Sequence, residues 1–136
     1  MELTEIVKPG MAREETFLVD EDKTAHHVGS GASRVLASPW LIAFMERVSH
    51  RLIVGHLPDG SSSVGVHVDV RHLAPTPVGS QVRVRAEVIE VDGSRVTLIV
   101  QAWDHLELVG EGSHQRVVID QERFLRRVET KRLGPE

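Results

Sequence analysis

A single long helical segment, in a sequence that otherwise alternates like strands, constrains the fold of this chain more than any other feature. Residues Ser38–Leu57 read SPWLIAFMERVSHRLIVGHL. Ser38 before Pro39 is typical of an N-cap followed by proline in the first helical position, and Gly55 with Pro58 predicts the end of the helix. At about 100° per residue, the apolar side chains form one core-facing stripe. Its members are Leu41, Phe44, Met45, Val48 and Leu52.

Glu46 lies outside the arc where such a helix normally carries its charges. It shares a second stripe with Ile42, Ser49 and Ile53, whereas His50 belongs to the water-facing arc together with the neighbouring arginines. One interpretation is a glutamate at the edge of the core whose methylenes reach to water. The other is a catalytic carboxylate in a partly apolar cleft, which requires partner residues elsewhere in the chain.

Length and composition limit the class of protein. The 136 residues predict one domain over residues 1–136, with its core at about 12–128, and no apolar run is as long as a membrane span. Without a basic-then-apolar leader, the chain is expected to be a soluble cytoplasmic protein that has no membrane partner. The absence of cysteine excludes disulfides, thiolate metal sites and a cysteine nucleophile. A net charge of −4, no tyrosine and few aromatic residues argue against a nucleic-acid partner.

The apolar pattern changes to a period of two after the turn PDGSSS. In the segment VGVHVDVRHL, Gly65 lies on one face of the predicted strand and the valines lie on the other. If the strand is regular, His72 continues the valine phase and faces the layer that the long helix covers. His72 alone fits an ordinary strand-end residue, but Glu46 is on the only element available to pack against that face. We therefore treat Glu46 and His72 as a candidate pair.

Further strands lie before and after this region. Residues Glu14–Asp20 predict a first strand, and the polar loop that follows holds His26 and His27, whose side chains diverge and do not predict a metal site. Two long strands meet at a hairpin turn at Asp92–Gly93, and a last strand carries Arg116 in its apolar run. The tail ERFLRRVETKR predicts a short amphipathic helix whose charges are solvated.

The order of elements is a strand, a loop, a long helix and four largely antiparallel strands, which belongs to the α+β class. One helix cannot cover both faces of so long a sheet, so the sheet is expected to curl around it. An outer strand or face then stays exposed, and a homodimer is the simplest way to cover it.

Three stretches of the chain resemble a known family. The segments ASPWLIAFMERVS, GVHVDVRHLAPTPVGSQVRV and GEGSHQRVVID are similar in order and spacing to the fluoroacetyl-CoA thioesterase type of hot-dog protein, over about residues 35–120. The resemblance implies the hot-dog fold, in which a curved antiparallel sheet wraps around one long central helix, assembled as a homodimer.

The resemblance also implies a set of site residues. The family uses a threonine, a glutamate and a histidine, with a glycine and an arginine near the thioester. Carried over by position, the catalytic candidates are Ser38, Glu46 and His72, and the substrate-binding candidates are Gly65 and Arg116. Serine replaces the threonine of the family, and Ser38 is either part of the catalytic set or only a helix cap. Arg116 either contacts CoA or pairs with an acid on a neighbouring strand.

The implied function is an acyl-CoA thioesterase that hydrolyses a short-chain acyl thioester in a cleft at the dimer interface. Glu46 would attack the carbonyl or orient a water, His72 would act as general base, and the helix N-terminus near Ser38 would stabilise the oxyanion. No metal or cofactor is expected, because CoA is part of the substrate. The alternatives are a non-catalytic hot-dog protein that binds acyl-CoA or a related small ligand, and a dehydratase or hydratase, for which no matching motif is present. The loop Lys23–Arg34 would supply any lid over the site.

Overall fold

The computed structural model describes residues 2–135 of the chain. Within this range the chain folds into five β-strands and three α-helices. They are β1 (Ala12–Leu18), α1 (Ala25–Val28), α2 (Ser38–Val54), β2 (Ser61–His72), β3 (Gln81–Asp92), β4 (Arg95–Trp103), β5 (Leu108–Asp120) and α3 (Gln121–Leu133). The predicted order of elements is confirmed, except that His26 and His27, expected in a loop, lie in the short helix α1.

The strands form one antiparallel sheet of five strands in the order β1-β3-β4-β5-β2. β3 and β4 are joined by the predicted hairpin, in which Gly93 has a positive φ of 61° that residues with a side chain rarely adopt. β1 and β2 are the outer strands, so each has one edge without a strand partner in the described chain. The α+β class is confirmed.

Helix α2 packs across one face of the sheet and contacts all five strands. Neighbouring strands are about 4.8 Å apart, so one helix can touch all of them only if the sheet curves around it. The core-facing stripe predicted for the helix is buried throughout, with no member more than 6% exposed. It meets the inward-facing residues of β3 and β4, which are Val82, Val84, Ala86, Val88, Val96, Leu98, Val100 and Ala102.

The ends of α2 differ from the prediction in ways that affect the site. Its N-cap is Ala37 rather than Ser38, and no side chain caps the first turn. Pro39 stands in the first turn as expected, but the hydroxyl of Ser38 is left for another partner. At the far end the helix stops at Val54, and Gly55 keeps a right-handed φ of −61° rather than the left-handed conformation typical of glycine after a helix.

A β-bulge in β2 decides which of its residues face the helix. The register with β5 shifts between Gly65 and His67, so Val66 is an extra residue in β2. Gly65 lies on the helix side before the bulge, and His72 lies on the helix side after it. The prediction that Gly65 and His72 lie on opposite faces is wrong, because it assumes a regular strand.

Two kinds of feature are missing from the described residues. No helix within residues 2–135 is long and apolar enough to cross a membrane. In the same part of the chain, no group of three or more His, Cys, Asp or Glu side chains is arranged to hold a metal ion.

Candidate active site

The five candidate residues lie on three elements that meet at the inner face of the sheet. Ser38 and Glu46 are on α2, Gly65 and His72 are on β2, and Arg116 is on β5. The structure brings these residues together in two separate groups. The first group lies at the start of α2, and the second lies further along the same helix.

Ser38 and His72 form the first group. The Ser38 Oγ and His72 Nδ1 atoms are 2.6 Å apart, the distance of a short hydrogen bond. Depending on the tautomer, the serine hydroxyl donates to Nδ1 or accepts from the Nδ1–H group. Because Ala37 is the N-cap, the interpretation of Ser38 as only a helix cap is wrong.

His72 has the properties of a neutral base. Burial lowers the pKa of His72 from its ordinary value of 6.5, and the backbone of Ala74 opposes this only in part. The Nε2 atom is buried and has no hydrogen-bond partner of normal geometry among the described residues. Ser38 and His72 border an open cavity of about 290 Å³, whose other lining residues are Val35, Leu73, Ala74 and Pro75. A neutral imidazole in this position can take a proton from the hydroxyl or from a water.

The first turn of α2 offers fewer hydrogen-bond donors than predicted. Pro39 has no N–H group, and the N–H groups of Trp40 and Leu41 both donate to the Ala37 carbonyl oxygen at 3.0 Å. The positive end of the helix dipole remains beside Ser38. Stabilisation of an oxyanion there therefore depends on the dipole and on the Ser38 N–H group, which has no acceptor among the described residues, rather than on a row of free N–H groups.

Glu46 and Arg116 form the centre of the second group. The Glu46 Oε2 atom is 3.5 Å from a terminal nitrogen of Arg116. The Arg116 side chain is 8% exposed and that of Glu46 is 42% exposed, so the arginine is fixed within the fold while the carboxylate stays accessible. Burial lowers the pKa of the Arg116 guanidinium from its ordinary value, and the Glu46 carboxylate opposes this change. The acid that pairs with Arg116 is thus on the helix rather than on a neighbouring strand.

Two further residues hold the Arg116 guanidinium in place. Its Nε–H group donates to Ser63 Oγ at 2.8 Å, and a terminal N–H group donates to the Ser63 carbonyl oxygen at 3.1 Å. Another terminal N–H group donates to His114 Nε2 at 3.1 Å. The His114 Nδ1 atom lies 2.8 Å from the His67 carbonyl oxygen, which requires a proton on Nδ1 and leaves Nε2 as an acceptor. Burial lowers the pKa of His114 and so favours this neutral form.

Ser63, His50 and His114 are site neighbours that the sequence did not predict. His50, expected to face water, is half-buried, and its Nδ1 atom lies 2.9 Å from Ser63 Oγ. His114 lies two residues before Arg116 in a strand, and this spacing places both side chains on one face. The sequence could therefore have predicted His114 as a neighbour of Arg116. Ser63 had no such signal, because the bulge determines which face of β2 it occupies.

Gly65 allows the Glu46 carboxylate to lie against β2. A Cβ atom at this position would lie 2.8 Å from Glu46 Oε2, and 3.3 Å from both a terminal nitrogen of Arg116 and His114 Cε1. Side-chain-bearing residues essentially never show a contact as short as 2.8 Å at Cβ. The absence of a side chain at Gly65 therefore leaves room for the Glu46 carboxylate.

The two groups are not joined within one chain. Glu46 and His72 form no hydrogen bond or ion pair with each other in the described structure. Eight residues of helix, about 12 Å, separate Ser38 from Glu46. Seven residues of strand, roughly 20 Å, separate Gly65 from His72. One chain thus presents a hydroxyl–imidazole pair at one end and a carboxylate held by an arginine at the other.

Comparison of the sequence with known proteins points to one family. The sequence profile described as fluoroacetyl-CoA-specific thioesterase matches residues 19–122. The chain is 33% identical over 121 residues to the fluoroacetyl-CoA thioesterase of Streptantibioticus cattleyicolor, a match that covers 85% of this chain and 87% of the relative.

The fold is similar to that of solved hot-dog proteins. A structure of the fluoroacetyl-CoA thioesterase FlK matches with a TM-score of 0.85 at 31% identity, over 92% of this chain and 97% of that one. A threonine-to-serine variant of FlK in complex with acetyl-CoA has a TM-score of 0.87 at 32% identity, over 95% of this chain and 100% of that one. A hot-dog-like protein from Thermanaerovibrio acidaminovorans has a TM-score of 0.91 at 27% identity, with 100% of both chains covered. The predicted hot-dog fold is confirmed.

Proposed function

Because this chain belongs to the fluoroacetyl-CoA-specific thioesterase family and is a thioester hydrolase that acts on acyl-CoA, we propose that it hydrolyses a short-chain acyl-CoA with Ser38, Glu46 and His72. The observation that carries this residue assignment is the 2.6 Å hydrogen bond between Ser38 Oγ and His72 Nδ1. A short acyl group is supported by the relatives, since one is named for fluoroacetyl-CoA and a variant of FlK is in complex with acetyl-CoA. The proposal keeps a cytoplasmic location and no cofactor beyond the CoA of the substrate.

His72 is the base in the proposed reaction. It removes a proton from a water as the water adds to the acyl carbonyl, either of the thioester itself or of an acyl intermediate on Glu46. The oxyanion that forms lies near the first turn of α2, where the helix dipole favours negative charge. The carbonyl re-forms as the CoA thiolate leaves.

Glu46 completes the set, either as the group that orients the water or as a nucleophile whose acyl intermediate is then hydrolysed. Its position supports both routes, because Arg116 lies 3.5 Å from Oε2 while much of the carboxylate side chain is exposed. Arg116 acts here as a positioning residue, since Ser63 and His114 already accept three of its N–H groups. A contact of Arg116 or Gly65 with the substrate stays a prediction.

An exposed edge of the sheet supports a homodimer. β2 is an outer strand, and its residues 65–69 are exposed. They include two apolar side chains, Val66 at 48% and Val68 at 41% exposure. An unpaired strand edge with exposed apolar side chains is typical of a surface that pairs with another strand. We therefore propose that two copies associate through β2.

The dimer would also join the two groups of site residues. Two β2 strands that pair antiparallel about a two-fold axis between Gly65 and His72 bring the Glu46 end of one copy toward the His72 end of the other. Each dimer would then have two sites. Each site would combine Ser38 and His72 of one copy with Glu46 of the second copy.

Release of the CoA thiol from acyl-CoA substrates of increasing chain length tests the activity. We expect hydrolysis of short chains, and a loss of about 100-fold or more in kcat for Ser38→Ala, Glu46→Gln or His72→Ala. Binding without hydrolysis at every chain length would instead support the non-catalytic acyl-CoA-binding protein.

Mixed dimers test whether the site crosses the interface. Glu46→Gln and His72→Ala chains are produced together with different affinity tags, and the heterodimer is purified. If each site combines both copies, one of the two sites is intact and activity returns to about half of the wild-type value. If each site lies within one chain, both sites carry a defect and the heterodimer is as inactive as either parent.

A further inference from the structure

The C-terminal helix α3 carries cations that no carboxylate neutralises. None of its residues is buried. Arg126 pairs with Glu122 at 3.0 Å, and Arg132 pairs with Glu129. Within residues 2–135, no carboxylate lies within 4.0 Å of the three other basic side chains of the helix, which are Arg123, Arg127 and Lys131. They are spaced four residues apart, so they lie on one face of the helix.

This cluster contrasts with the rest of an acidic protein, whose net charge is −4. Most of the cationic side chains outside α3 pair with carboxylates. The paired ones are Arg13, Lys23, Arg34, Arg51, Arg83, Arg85 and Arg116. The cations on one face of α3 therefore create a local positive potential, because no carboxylate of the described residues pairs with them.

A cavity of about 420 Å³ lies between α3 and the end of β5. Its lining residues are Val118, Ile119, Asp120, Arg123, Phe124 and Arg127. The Asp120 carboxylate accepts the Arg123 backbone N–H group at 2.9 Å as the helix N-cap, and among the described residues it forms no ion pair with either guanidinium group. The cavity thus offers an aromatic ring and two aliphatic side chains beside two guanidinium groups.

This combination fits a ligand that has a planar ring and several negative charges. Guanidinium groups bind phosphate oxygens through paired N–H donors, and both guanidinium groups and aromatic side chains stack on flat rings. The nucleotide end of CoA consists of adenine, a ribose with a 3′-phosphate, and a diphosphate. The substrate class of the proposed function therefore already contains the chemistry that the cavity would recognise.

The distance from this cavity to the carboxylate group of the site also fits CoA. In the ladder between β2 and β5, Asp120 pairs with Ser61 and Arg116 pairs with Gly65. Four residues of strand separate these two positions, which is about 13 Å. The extended pantetheine arm of CoA spans about 15 Å, the length of four to five extended residues. A thioester beside Glu46 would therefore place the diphosphate close to α3.

We propose that the cavity between α3 and β5 binds the nucleotide end of the CoA substrate. Arg123 and Arg127 contact its phosphates, and Phe124 lies beside its adenine ring. This inference rests on the proposed function, because it places the thioester of an acyl-CoA at Glu46. It replaces the expectation that the charges of this helix are only solvated.

A kinetic test compares acetyl-CoA with acetyl-pantetheine, which has the same thioester but no nucleotide. For the double variant Arg123→Gln/Arg127→Gln, we expect the KM for acetyl-CoA to rise about tenfold or more with kcat nearly unchanged, because the lost contacts are remote from the reacting atoms. Hydrolysis of acetyl-pantetheine should not respond to this double variant. The matched control is Arg126→Gln/Arg132→Gln, which changes the charge of the helix equally but removes arginines that already pair with acids. The KM of the control should stay within about twofold of the wild type.

A binding test separates this inference from the proposed function. Adenosine 3′,5′-bisphosphate carries nucleotide groups without a thioester, and calorimetry measures its affinity for the wild type, the double variant and the control. Binding to the wild type and the control but not to the double variant would support the nucleotide site even if no thioester is hydrolysed. Equal affinity for all three proteins, or an equal rise in KM for acetyl-CoA and acetyl-pantetheine, would overturn the inference.

Discussion

Substitution of Gly65 by alanine is expected to reduce the activity of the site while leaving the fold intact. The new Cβ atom would lie 2.8 Å from Glu46 Oε2, whereas nonbonded heavy atoms normally settle at about 3.5–4.0 Å. Glu46 can move, because 42% of its side chain is exposed, but Arg116 and His114 are buried. We therefore expect the carboxylate to be displaced by about 1 Å while the strands stay paired.

The expected change in stability is small. Alanine in place of glycine restricts the unfolded chain, which stabilises a protein by about 0.4–1 kcal/mol. The contacts at 3.3 Å with Arg116 and His114 oppose this gain, because neither side chain moves freely. We expect the free energy of unfolding, measured in urea, to change by less than about 1 kcal/mol.

The expected change in activity is larger. A displacement of about 1 Å in a catalytic group can lower the rate about 100-fold, which corresponds to about 2.7 kcal/mol of transition-state stabilisation. The release of CoA thiol from acetyl-CoA gives kcat/KM for the wild type and for Gly65→Ala. The combination of nearly normal stability and low kcat/KM is the expected result.

Gly110→Ala is the matched control. Its Cβ atom would lie 2.7 Å from Leu41 Cδ2 and 3.3 Å from Met45 Cε, in the buried core. These side chains cannot move into solvent, so we expect a loss of about 1–3 kcal/mol in the free energy of unfolding. If Gly65→Ala destabilises the fold as much as Gly110→Ala does and keeps its kcat/KM, the reasoning about Glu46 is refuted.

Four other predictions depend on the contacts and burial of the site residues. Ser38→Ala should lower the free energy of unfolding in urea by about 0.5–1.5 kcal/mol, because it removes the hydrogen bond from the serine hydroxyl to His72 Nδ1, and an unchanged urea midpoint would contradict this. Arg116→Lys should cost about 1–3 kcal/mol, because lysine cannot satisfy Ser63 and His114 together, and an unchanged urea midpoint would argue against it. In a pH series, the acid limb of kcat/KM should have its midpoint below 6.5, because burial lowers the pKa of His72, and a midpoint above 6.5 would contradict this direction. The free energy of unfolding should also fall as the pH decreases below 6.5, because His72 and His114 bind protons more readily in the unfolded chain than in the folded chain. A urea midpoint that is independent of pH between 5 and 7 would contradict this.

The helix α2 and the hairpin at Asp92–Gly93 could be predicted from the sequence because both depend on neighbouring residues. A 3.6-residue period of apolar side chains and a two-residue turn signal are local properties. The predicted core stripe of the helix is buried in the structure, and the hairpin joins β3 to β4 as expected.

The face that Gly65 occupies could not be predicted in the same way. It depends on the bulge at Val66, which forms where β2 pairs with β5, and β5 is distant in the sequence. One extra residue changes the face of every residue on one side of it, and the single glycine in VGVHVDV, although typical of a bulge, does not fix which residue is the extra one.

The start of α2 is another feature that distant residues decide. The Ala37 N–H group donates to the Lys23 carbonyl oxygen at 2.9 Å, and the Leu36 N–H group donates to the Thr76 carbonyl oxygen at 2.8 Å. These contacts hold the segment before the helix in an extended conformation up to Ala37. The helix therefore begins at Ser38, and the local cap signal at Ser38 is overridden.

Helix α2 contributes to both groups of the site, and this restricts how the site can change. Ser38 begins the helix, Glu46 lies about 12 Å further along it, and the buried stripe between them fixes the rotation of the helix against the sheet. In the proposed dimer, each helix supplies Ser38 to one site and Glu46 to the other. A shift of α2 that moves Ser38 relative to its substrate therefore moves Glu46 in the second site as well. In that dimer the position of the glutamate among apolar side chains follows from this shared helix, because the same core packing holds Ser38 and Glu46 in place for two different sites.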